Sequence, residues 1–297
     1  MTKDRTLLVF GATGMLGSAM YNHIAMGDDF NVVGTYRNRR IAYGLLQNAS
    51  SKLVQCELDP GALHATALIK EIKPTVVINC IGVIKQRSEA SEVLATVPIN
   101  TVLPHQLHSA CERIGAKFIH YSTDCVFSGA KGNYTEGDTP DAVDVYGLSK
   151  YLGEVVGTGA LTLRTSIIGH ELSSSRSLLN WFLSQEGQVK GFTNAYFSGL
   201  PTNEVARITM EIIKCHPSLS GLYHLASQKI SKHDILTHIN TVYGKNLDIV
   251  TDGNLNIDRS LNADRLRTQI GYKPRSWGGL ITEMKEFKDE CDRYFQR

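Results

Sequence analysis

A tyrosine and a lysine stand four residues apart in the segment Tyr146-Gly147-Leu148-Ser149-Lys150. Residues at this spacing share one face of a helix. A free tyrosine titrates near pKa ~10, so it is a poor proton donor at neutral pH unless a nearby positive charge stabilises the phenolate. If the segment is helical, Lys150 can supply that charge. The same spacing also occurs on the surface of ordinary amphipathic helices, so a catalytic interpretation needs support from the rest of the chain.

A glycine-rich turn near the amino terminus supplies the first support. The apolar run 7–10 leads into Gly11-Ala12-Thr13-Gly14-Met15-Leu16-Gly17, and residues 15–26 are predicted to be helical. In a strand-turn-helix unit such glycines allow a tight turn, close approach of a pyrophosphate and close helix packing, with the helix N-terminus facing the phosphates. The spacing is G-x-x-G-x-x-G. The predicted cofactor-binding residues here are Gly11, Thr13, Gly14, Met15, Leu16 and Gly17.

The residues after the second predicted strand, 31–36, bear on the choice of cofactor. An NAD-specific site usually has an acidic residue at this place, but the chain has Arg37-Asn38-Arg39-Arg40. A guanidinium group suits a 2′-phosphate. The sequence therefore predicts a preference for NADPH, with Arg37 as the first candidate, and leaves NADH open. A solvated basic turn is the alternative interpretation.

Strands and helices alternate regularly through the first half of the chain. Further strands are predicted at 52–57, 74–82, 117–122 and 161–166, and helices at 60–72 and 95–114. This alternation predicts an α/β fold with a doubly wound parallel sheet, whose strands present ligands at their carboxyl ends. Residues 127–144 are rich in Gly, Asp and Pro and are predicted to form an active-site loop. Further cofactor contacts are predicted at Glu57, Leu58, Cys80, Ile81, Gly82 and Asn100.

The alternation breaks after residue 168. We therefore predict a Rossmann domain at 1–168, to which 202–230 returns, and a smaller, discontinuous substrate-binding domain formed by 169–201 and 231–297. In this second half the sequence has an amphipathic segment at 178–183 and predicts helices at 204–215, 231–243 and 279–294 and a strand at 221–226. Ser231 is a plausible N-cap.

Composition excludes several classes of protein. Of 297 residues, 20% are charged and 42% apolar, with a net charge of +2, so nucleic-acid binding is not indicated. The charged start of the chain does not resemble a signal peptide, and no run of 18 apolar residues suggests a membrane span. The six cysteines form no Cys-x-x-Cys pair and the ten histidines show no metal-ligand spacing. We expect a cytoplasmic protein with reduced thiols and no assignable metal site.

Several motifs in chain order resemble one family. They are the glycine turn, Tyr121-Ser122-Thr123-Asp124-Cys125-Val126-Phe127, Tyr134-Thr135-Glu136-Gly137-Asp138, Tyr146-x-x-x-Lys150, Gly153-Glu154 and Leu163-Arg164-Thr165-Ser166. The chain resembles extended short-chain dehydrogenase/reductases, and most of all dTDP-4-dehydrorhamnose reductases. The resemblance is close from residue 6 to about 168 and looser beyond.

The resemblance implies an activity and roles for individual residues. The reaction would be NADPH-dependent reduction of the 4-keto group of a nucleoside-diphosphate 4-keto-6-deoxy sugar, for surface polysaccharide synthesis. Thr123 would hydrogen-bond the substrate carbonyl, Tyr146 would donate the proton, and Lys150 would hold the nicotinamide ribose and lower the pKa of Tyr146. The family can also bind Mg²⁺ at a subunit contact, but its acidic ligands have no assignable match in this sequence. A homodimer is the default expectation.

The predicted substrate-binding residues lie on both sides of position 168. Besides Thr123, they are Lys85, Asp124, Cys125, Ser166 and Arg259. For the diphosphate, Lys85, Arg176, Lys190 and Arg259 are candidates, and for base stacking Phe192, Tyr196 and Phe197. The sequence specifies neither the nucleotide, nor the sugar, nor the stereochemistry at C4.

Position 125 separates the related activities. Sugar-nucleotide 4,6-dehydratases carry Asp-Glu after the threonine, whereas this chain has Asp124-Cys125, which disfavours dehydration. GDP-fucose synthase-like epimerase/reductases have a cysteine that exchanges protons beside the ketone. Such chemistry also needs a group on the opposite sugar face, for which His170 is the one nearby candidate, although its surroundings do not match that family. A small packing cysteine is the simpler interpretation.

A non-catalytic alternative also fits the resemblance. The regulatory subunit of methionine adenosyltransferase resembles the same family, so the chain could be an NADP-binding regulatory subunit. An intact set of Thr123, Tyr146 and Lys150 argues against this interpretation.

Overall fold

A seven-stranded parallel sheet forms the centre of the fold. The computed structural model describes residues 5–57, 62–85 and 88–295. The strands are β1 Thr6–Phe10, β2 Asn31–Tyr36, β3 Ser51–Gln55, β4 Val76–Asn79, β5 Lys117–Thr123, β6 Ala160–Thr165 and β7 Gly221–His224. Their order in the sheet is β3-β2-β1-β4-β5-β6-β7, which confirms the predicted doubly wound α/β class.

Helices cover both faces of this sheet. They are α1 Met15–Met26, α2 Arg39–Ala42, α3 Leu63–Ile72, α4 Val93–Val97, α5 Leu103–Ile114, α6 Val145–Leu152, α7 Leu178–Leu183, α8 Thr202–Cys215, α9 Lys232–Tyr243, α10 Asp264–Ile270 and α11 Trp277–Phe295. Short 3₁₀ turns span Ser88–Ser91 and Asp124–Val126, and a π-helical turn spans Pro98–Val102.

The apolar strands supply two cores. Successive side chains of a strand point to opposite faces, so Leu7 and Val9 pack with α1 and α8 while Leu8 and Phe10 pack with α3 and α5. Because both faces are covered, the central strands read as continuous apolar runs.

Two predicted elements differ from the structure for identifiable reasons. The helix predicted at 95–114 is divided into α4, the π-helical turn and α5. Pro98 and Pro104 lack the N–H groups that a continuous helix needs, and π-helical turns are frequent at functional sites. The strand predicted at 74–82 is shorter, Val76–Asn79, and residues 80–82 leave the sheet at its carboxyl edge.

The second half of the chain adds three small sheets. Ala195–Phe197 pairs with Ile230–Ser231 and Ile257–Asp258, Gln188–Phe192 pairs with Asp248–Asp252, and Leu200–Pro201 pairs with Ile167–Ile168. The three-stranded sheet reaches the loop predicted at the active site, since Asp258 N donates to Gly129 O at 2.9 Å. Ser231 caps α9 as predicted, accepting from Asp234 N at 3.0 Å.

The last helix makes contacts with both halves of the molecule. The sequence placed 279–294 in the smaller domain. In the structure α11 packs on α8 and α9, and Asn22 Nδ2 of α1 donates to Cys291 Sγ at 3.7 Å. Its buried residues Leu280 and Met284 belong to the core that contains β1 and α1.

Candidate active site

The glycine turn leaves the start of α1 open. Gly11 has φ +78°, which favours glycine, and a Cβ on Gly17 would lie 2.0 Å from Gly11 O. Thr35 of β2 holds the turn by accepting from Gly11 N at 3.0 Å. Gly14 is exposed, and α1 has no side-chain cap, so its first N–H groups have no side-chain acceptor. This arrangement fits a bound diphosphate.

The cofactor contacts predicted after β4, at Cys80, Ile81 and Gly82, lie next to the glycine turn. A Cβ on Gly11 would come within 2.9 Å of Ile81, and Cys80 N donates to Phe10 O at 3.0 Å. Asn100, from the π-helical turn, is buried and accepts from Val83 N at 2.8 Å. A Cβ on Gly82 would lie 3.4 Å from Asn100 Oδ1 and 4.0 Å from Lys150 Nζ. The structure therefore brings these predicted residues to one edge of the sheet.

The other predicted cofactor contacts lie on the β2 and β3 side. Arg37 follows β2 and is exposed, and Glu57 is exposed just beyond β3. Leu58 lies outside the described residues.

Helix α6 is held against the end of β5. Asp144 caps it by accepting from Gly147 N at 2.9 Å. A Cβ on Gly147 would lie 2.5 Å from Cys125 O, and one on Gly153 would lie 1.8 Å from Asn100 O. Glycine at both positions therefore lets α6 approach the turn after β5 and the π-helical turn.

The close approach of α6 to the end of β5 brings the hydroxyl groups of Tyr146 and Thr123 next to each other. The hydroxyl of Thr123 lies close enough to the phenol of Tyr146 to lower its pKa. Thr123 Oγ1 donates to Asp124 Oδ1 at 3.1 Å and accepts from Cys125 N at 3.1 Å. Burial raises the pKa of Tyr146, and Cys125 and Asp124 raise it further. Tyr146 is thus protonated at neutral pH and can act as an acid.

Lys150 does not lower the pKa of Tyr146 in the way the sequence led us to expect. Its ammonium donates to Tyr121 O at 2.6 Å, and the dominant effect on Tyr146 is burial. Burial also lowers the pKa of Lys150 to about 8. The side chain is 5% exposed, and it lies close to Gly82, at the edge where a nicotinamide ribose is expected.

The predicted substrate residues surround the turn after Thr123. Lys85 Nζ donates to Asp144 Oδ2 at 2.8 Å, which ties it to the cap of α6. Arg259 Nε donates to Phe127 O at 2.8 Å. Burial raises the pKa of Asp124, and it raises that of Cys125 to about 12. Ser166 follows Thr165, the register partner of Thr123, and its carbonyl accepts from Leu200 N at 2.9 Å.

His170 does not join Cys125. Its Nε2 contacts the Tyr243 hydroxyl at 2.8 Å, and its charged neighbours are on α11. Burial, with Lys288 beside it, lowers the pKa of His170 to about 4. The structure therefore does not place His170 as the second group for epimerisation.

A buried ion pair lies beneath the site and was missed by sequence reasoning. Arg164 donates through Nε and Nη2 to the two carboxylate oxygens of Glu154, at 2.7 and 2.8 Å. Ser122 Oγ donates to the same carboxylate at 2.7 Å, and His224 Nε2 lies 3.4 Å from Arg164 Nη1. The network joins β5, β6, β7 and α6. Gly153-Glu154 and Leu163-Arg164 were noted only as family motifs, because no local pattern reveals that they meet.

Lys232 is the second residue that the sequence did not single out. It is the first residue of α9, and its ammonium lies near Asp124 and Cys125. A lysine at the start of a helix carries no signal of its own, and only the fold brings it to the site.

The described residues contain neither a cluster of metal-binding side chains nor a membrane-spanning helix. No group of three or more His, Cys, Asp or Glu side chains among them could hold a metal ion. None of the helices in the ranges given above is long and apolar enough to cross a membrane.

Comparison with known proteins identifies the family. The model of the RmlD substrate binding domain matches residues 5–253. The chain belongs to the RmlD substrate binding domain family. This membership confirms the predicted resemblance to dTDP-4-dehydrorhamnose reductases and the predicted class, an oxidoreductase of the extended short-chain dehydrogenase/reductase type.

Individual relatives of this RmlD-family chain carry different names. It is 29% identical over 231 residues to a probable low-salt glycan biosynthesis reductase, Agl14, of Haloferax volcanii, covering 74% of each chain. It is 28% identical to methionine adenosyltransferase 2 subunit beta of Danio rerio, covering 79% of this chain and 72% of the relative. The structure of a dTDP-4-dehydrorhamnose reductase from Bacillus anthracis in complex with NADP superposes with TM-score 0.75 at 19% identity, covering 95% of this chain and 99% of the other.

The depressed pKa of Lys150 predicts a pH-dependent contribution to stability. Between about pH 8 and 10.5 the unfolded chain holds this proton and the folded protein does not, so stability rises with pH. Across that interval, the unfolding free energy of the wild type should rise relative to Lys150→Met by on the order of 2–3 kcal/mol. Urea titrations at several pH values measure it. Lys70→Met, at an exposed site on α3, should show a constant difference, and a constant difference for Lys150→Met would contradict the assignment.

Proposed function

We propose that this protein is an NADPH-dependent reductase of the 4-keto group of a nucleoside-diphosphate 4-keto-6-deoxy sugar. The observation that carries the proposal is that α6 brings Tyr146 next to Thr123 at the carboxyl end of β5. Two hydroxyl groups at one point can both contact a carbonyl oxygen. The glycan biosynthesis reductase among the relatives supports a role in building surface polysaccharide.

The roles of the residues follow from the charge that develops in the reaction. Bound NADPH supplies the hydride. As the carbonyl carbon is reduced, negative charge grows on its oxygen, where Thr123 donates a hydrogen bond and Tyr146 transfers its proton. A raised pKa keeps that proton on the free enzyme at neutral pH. Lys150, close to Gly82, is proposed to hold the nicotinamide ribose beside this phenol.

The fit of the cofactor rests on residues of this chain. The open start of α1 suits the diphosphate, and Lys150, Asn100 and Gly82 form the edge for the nicotinamide ribose. No acidic residue follows β2, and Arg37 donates no hydrogen bond within the described residues. We propose that its guanidinium binds the 2′-phosphate of NADPH.

Arg37→Ala tests this preference. The Michaelis constant for NADPH should rise about 10-fold or more, because a charge-assisted hydrogen bond is lost, while that for NADH changes little. Steady-state assays with both cofactors measure the ratio. Arg113→Ala, at an exposed site on α5, serves as the control. An unchanged NADPH-to-NADH ratio in Arg37→Ala would remove Arg37 from the site.

The activity itself is tested by NADPH oxidation with 4-keto-6-deoxy sugars linked to dTDP and to UDP. The proposal predicts turnover with at least one of them and a 4-hydroxy sugar as product. Tight NADPH binding without turnover of either substrate would instead favour a regulatory subunit. That second candidate is favoured by the relatives named methionine adenosyltransferase 2 subunit beta.

Proton exchange at Cys125 is tested in the same assay. The thiol lies beside Thr123, but His170 does not face it. We therefore expect no solvent deuterium at C3 or C5 of the product. Deuterium that disappears in Cys125→Ser would establish the epimerase/reductase alternative.

We also propose that residues 169–201 and 231–297 close over the sugar nucleotide. The three-stranded sheet of this part contacts the loop after β5, and it carries Arg259 immediately after its last strand. The free thiols of all six cysteines support a cytoplasmic location.

A homodimer is proposed through the outer face of α4 and α6. Leu94 is 91% exposed, and Leu148, Tyr151 and Leu152 are also exposed. Residues 93–102 carry no charge, and the one charged residue of α6, Lys150, is buried, so two copies can meet without like charges in contact. Light scattering should give twice the 32.8 kDa chain mass. Leu94→Lys should give monomers, and a monomeric wild type would refute the proposal.

A further inference from the structure

Lys232 occupies a position that no motif explains. It begins α9, directly after the strand Ile230–Ser231, and its Nζ lies 4.6 Å from the centroid of the Phe197 ring. Among groups that titrate, Asp124 and Cys125 act on it most strongly. The ammonium therefore lies near the turn that directly follows Thr123.

The ammonium of Lys232 has no hydrogen-bond acceptor among the described residues. Burial lowers the pKa of Lys232, so the environment does not favour its charge. A lysine in such a place ordinarily has a carboxylate partner, since an unpaired, partly buried charge is costly. The cation–π contact with the Phe197 ring offsets only part of the cost of burying this charge.

Two neighbouring lysines, unlike Lys232, have carboxylate partners. Lys229, three residues earlier, has the same relation to a ring, with Nζ 4.5 Å from the Tyr196 centroid, but it is paired with Asp258 at 3.1 Å. Lys85 is paired with Asp144. Arg259 donates only through Nε, to Phe127 O, so its two Nη groups have no acceptor among the described residues.

Two cations with free donors thus face one turn. Ser231 and Asp258 both pair with Tyr196, so Lys232 and Arg259, the residues directly after them, leave the three-stranded sheet beside each other. Both act on Asp124. Asp124 directly follows Thr123, which under the proposed function contacts the sugar carbonyl. In a nucleoside-diphosphate sugar the diphosphate is attached about one sugar ring from that carbonyl, and it carries two negative charges. The number and sign of the two free cations match it.

We propose that Lys232 binds the diphosphate of the substrate together with Arg259, both carried by the three-stranded sheet. In the free protein the Lys232 ammonium lies over the Phe197 ring. The inference rests on the proposed function for the class of substrate, a nucleotide sugar, but it does not require that a ketone be reduced. In this proposal the second half of the chain selects substrates that carry a diphosphate.

Binding of unreactive nucleotide sugars tests the assignment. Isothermal titration calorimetry in the presence of NADP⁺ would use dTDP-glucose and UDP-glucose, which lack the keto group, with thymidine and uridine as phosphate-free probes. Lys232→Met should weaken binding of the nucleotide sugar by about 10- to 100-fold, as expected for loss of a charge-assisted hydrogen bond. Lys232→Arg should stay within about threefold of wild type. Nucleoside binding should not change.

Lys229→Met is the matched control. It removes a lysine that covers a ring at the same distance but is already paired, so nucleotide-sugar affinity should stay within about twofold. A thermal melt of each variant shows whether it is folded. NADPH affinity should be the same in all of them.

Three results would overturn the inference. The first is nucleotide-sugar affinity in Lys232→Met equal to that of wild type. The second is an equal loss of affinity for thymidine or uridine, which would show a structural role. The third is binding of neither nucleotide sugar by the folded wild type. If binding depends on Lys232 but no 4-keto sugar is reduced, the inference stands and the proposed reductase activity falls.

Discussion

The close approach of α6 to the end of β5 is the constraint on which the site depends. A side chain at Gly147 would collide with Cys125 O, and one at Gly153 would collide with Asn100 O. With glycine at both positions, Tyr146 comes next to the hydroxyl of Thr123.

The buried pair of Glu154 and Arg164 maintains this approach. Glu154 follows the end of α6, and Arg164 belongs to β6, so the two hydrogen bonds between them hold the helix to the sheet. Breaking one partner of such a pair typically costs about 3–5 kcal/mol, because the other charge is left buried. His224 accepts from Arg164 in its neutral form, and burial keeps its pKa low. The buried hydrogen bonds between Glu154 and Arg164 therefore hold the catalytic helix α6 in place.

The fold and the first half of the site could be read from the sequence because their signals are local. The bounds of α1 and β2 followed from a glycine turn and an apolar run. The convergence of Gly11, Gly82 and Lys150 followed from the rule that parallel strands present ligands at one edge. The π-helical turn around Asn100 was not foreseen, since two prolines inside a helical pattern do not specify how the backbone adapts.

The remaining features depend on contacts between distant residues, which no local pattern encodes. Lys232 is more than one hundred residues from Cys125, and only the small three-stranded sheet brings them together. The expected effect of Lys150 on Tyr146 also differed, because helical spacing fixes a shared face but not the direction of two long side chains. In the free protein Lys150 bonds a carbonyl of β5 and burial determines the pKa of the phenol.

The most direct test of the account is the single-turnover rate of Tyr146→Phe with NADPH and the 4-keto sugar that the wild type reduces. If the phenol protonates the developing alkoxide, the rate should fall by about 10²- to 10⁴-fold while NADPH affinity is retained. Tyr151→Phe, which removes an exposed hydroxyl from the same helix, should leave the rate unchanged. A Tyr146→Phe rate within twofold of wild type would contradict the account.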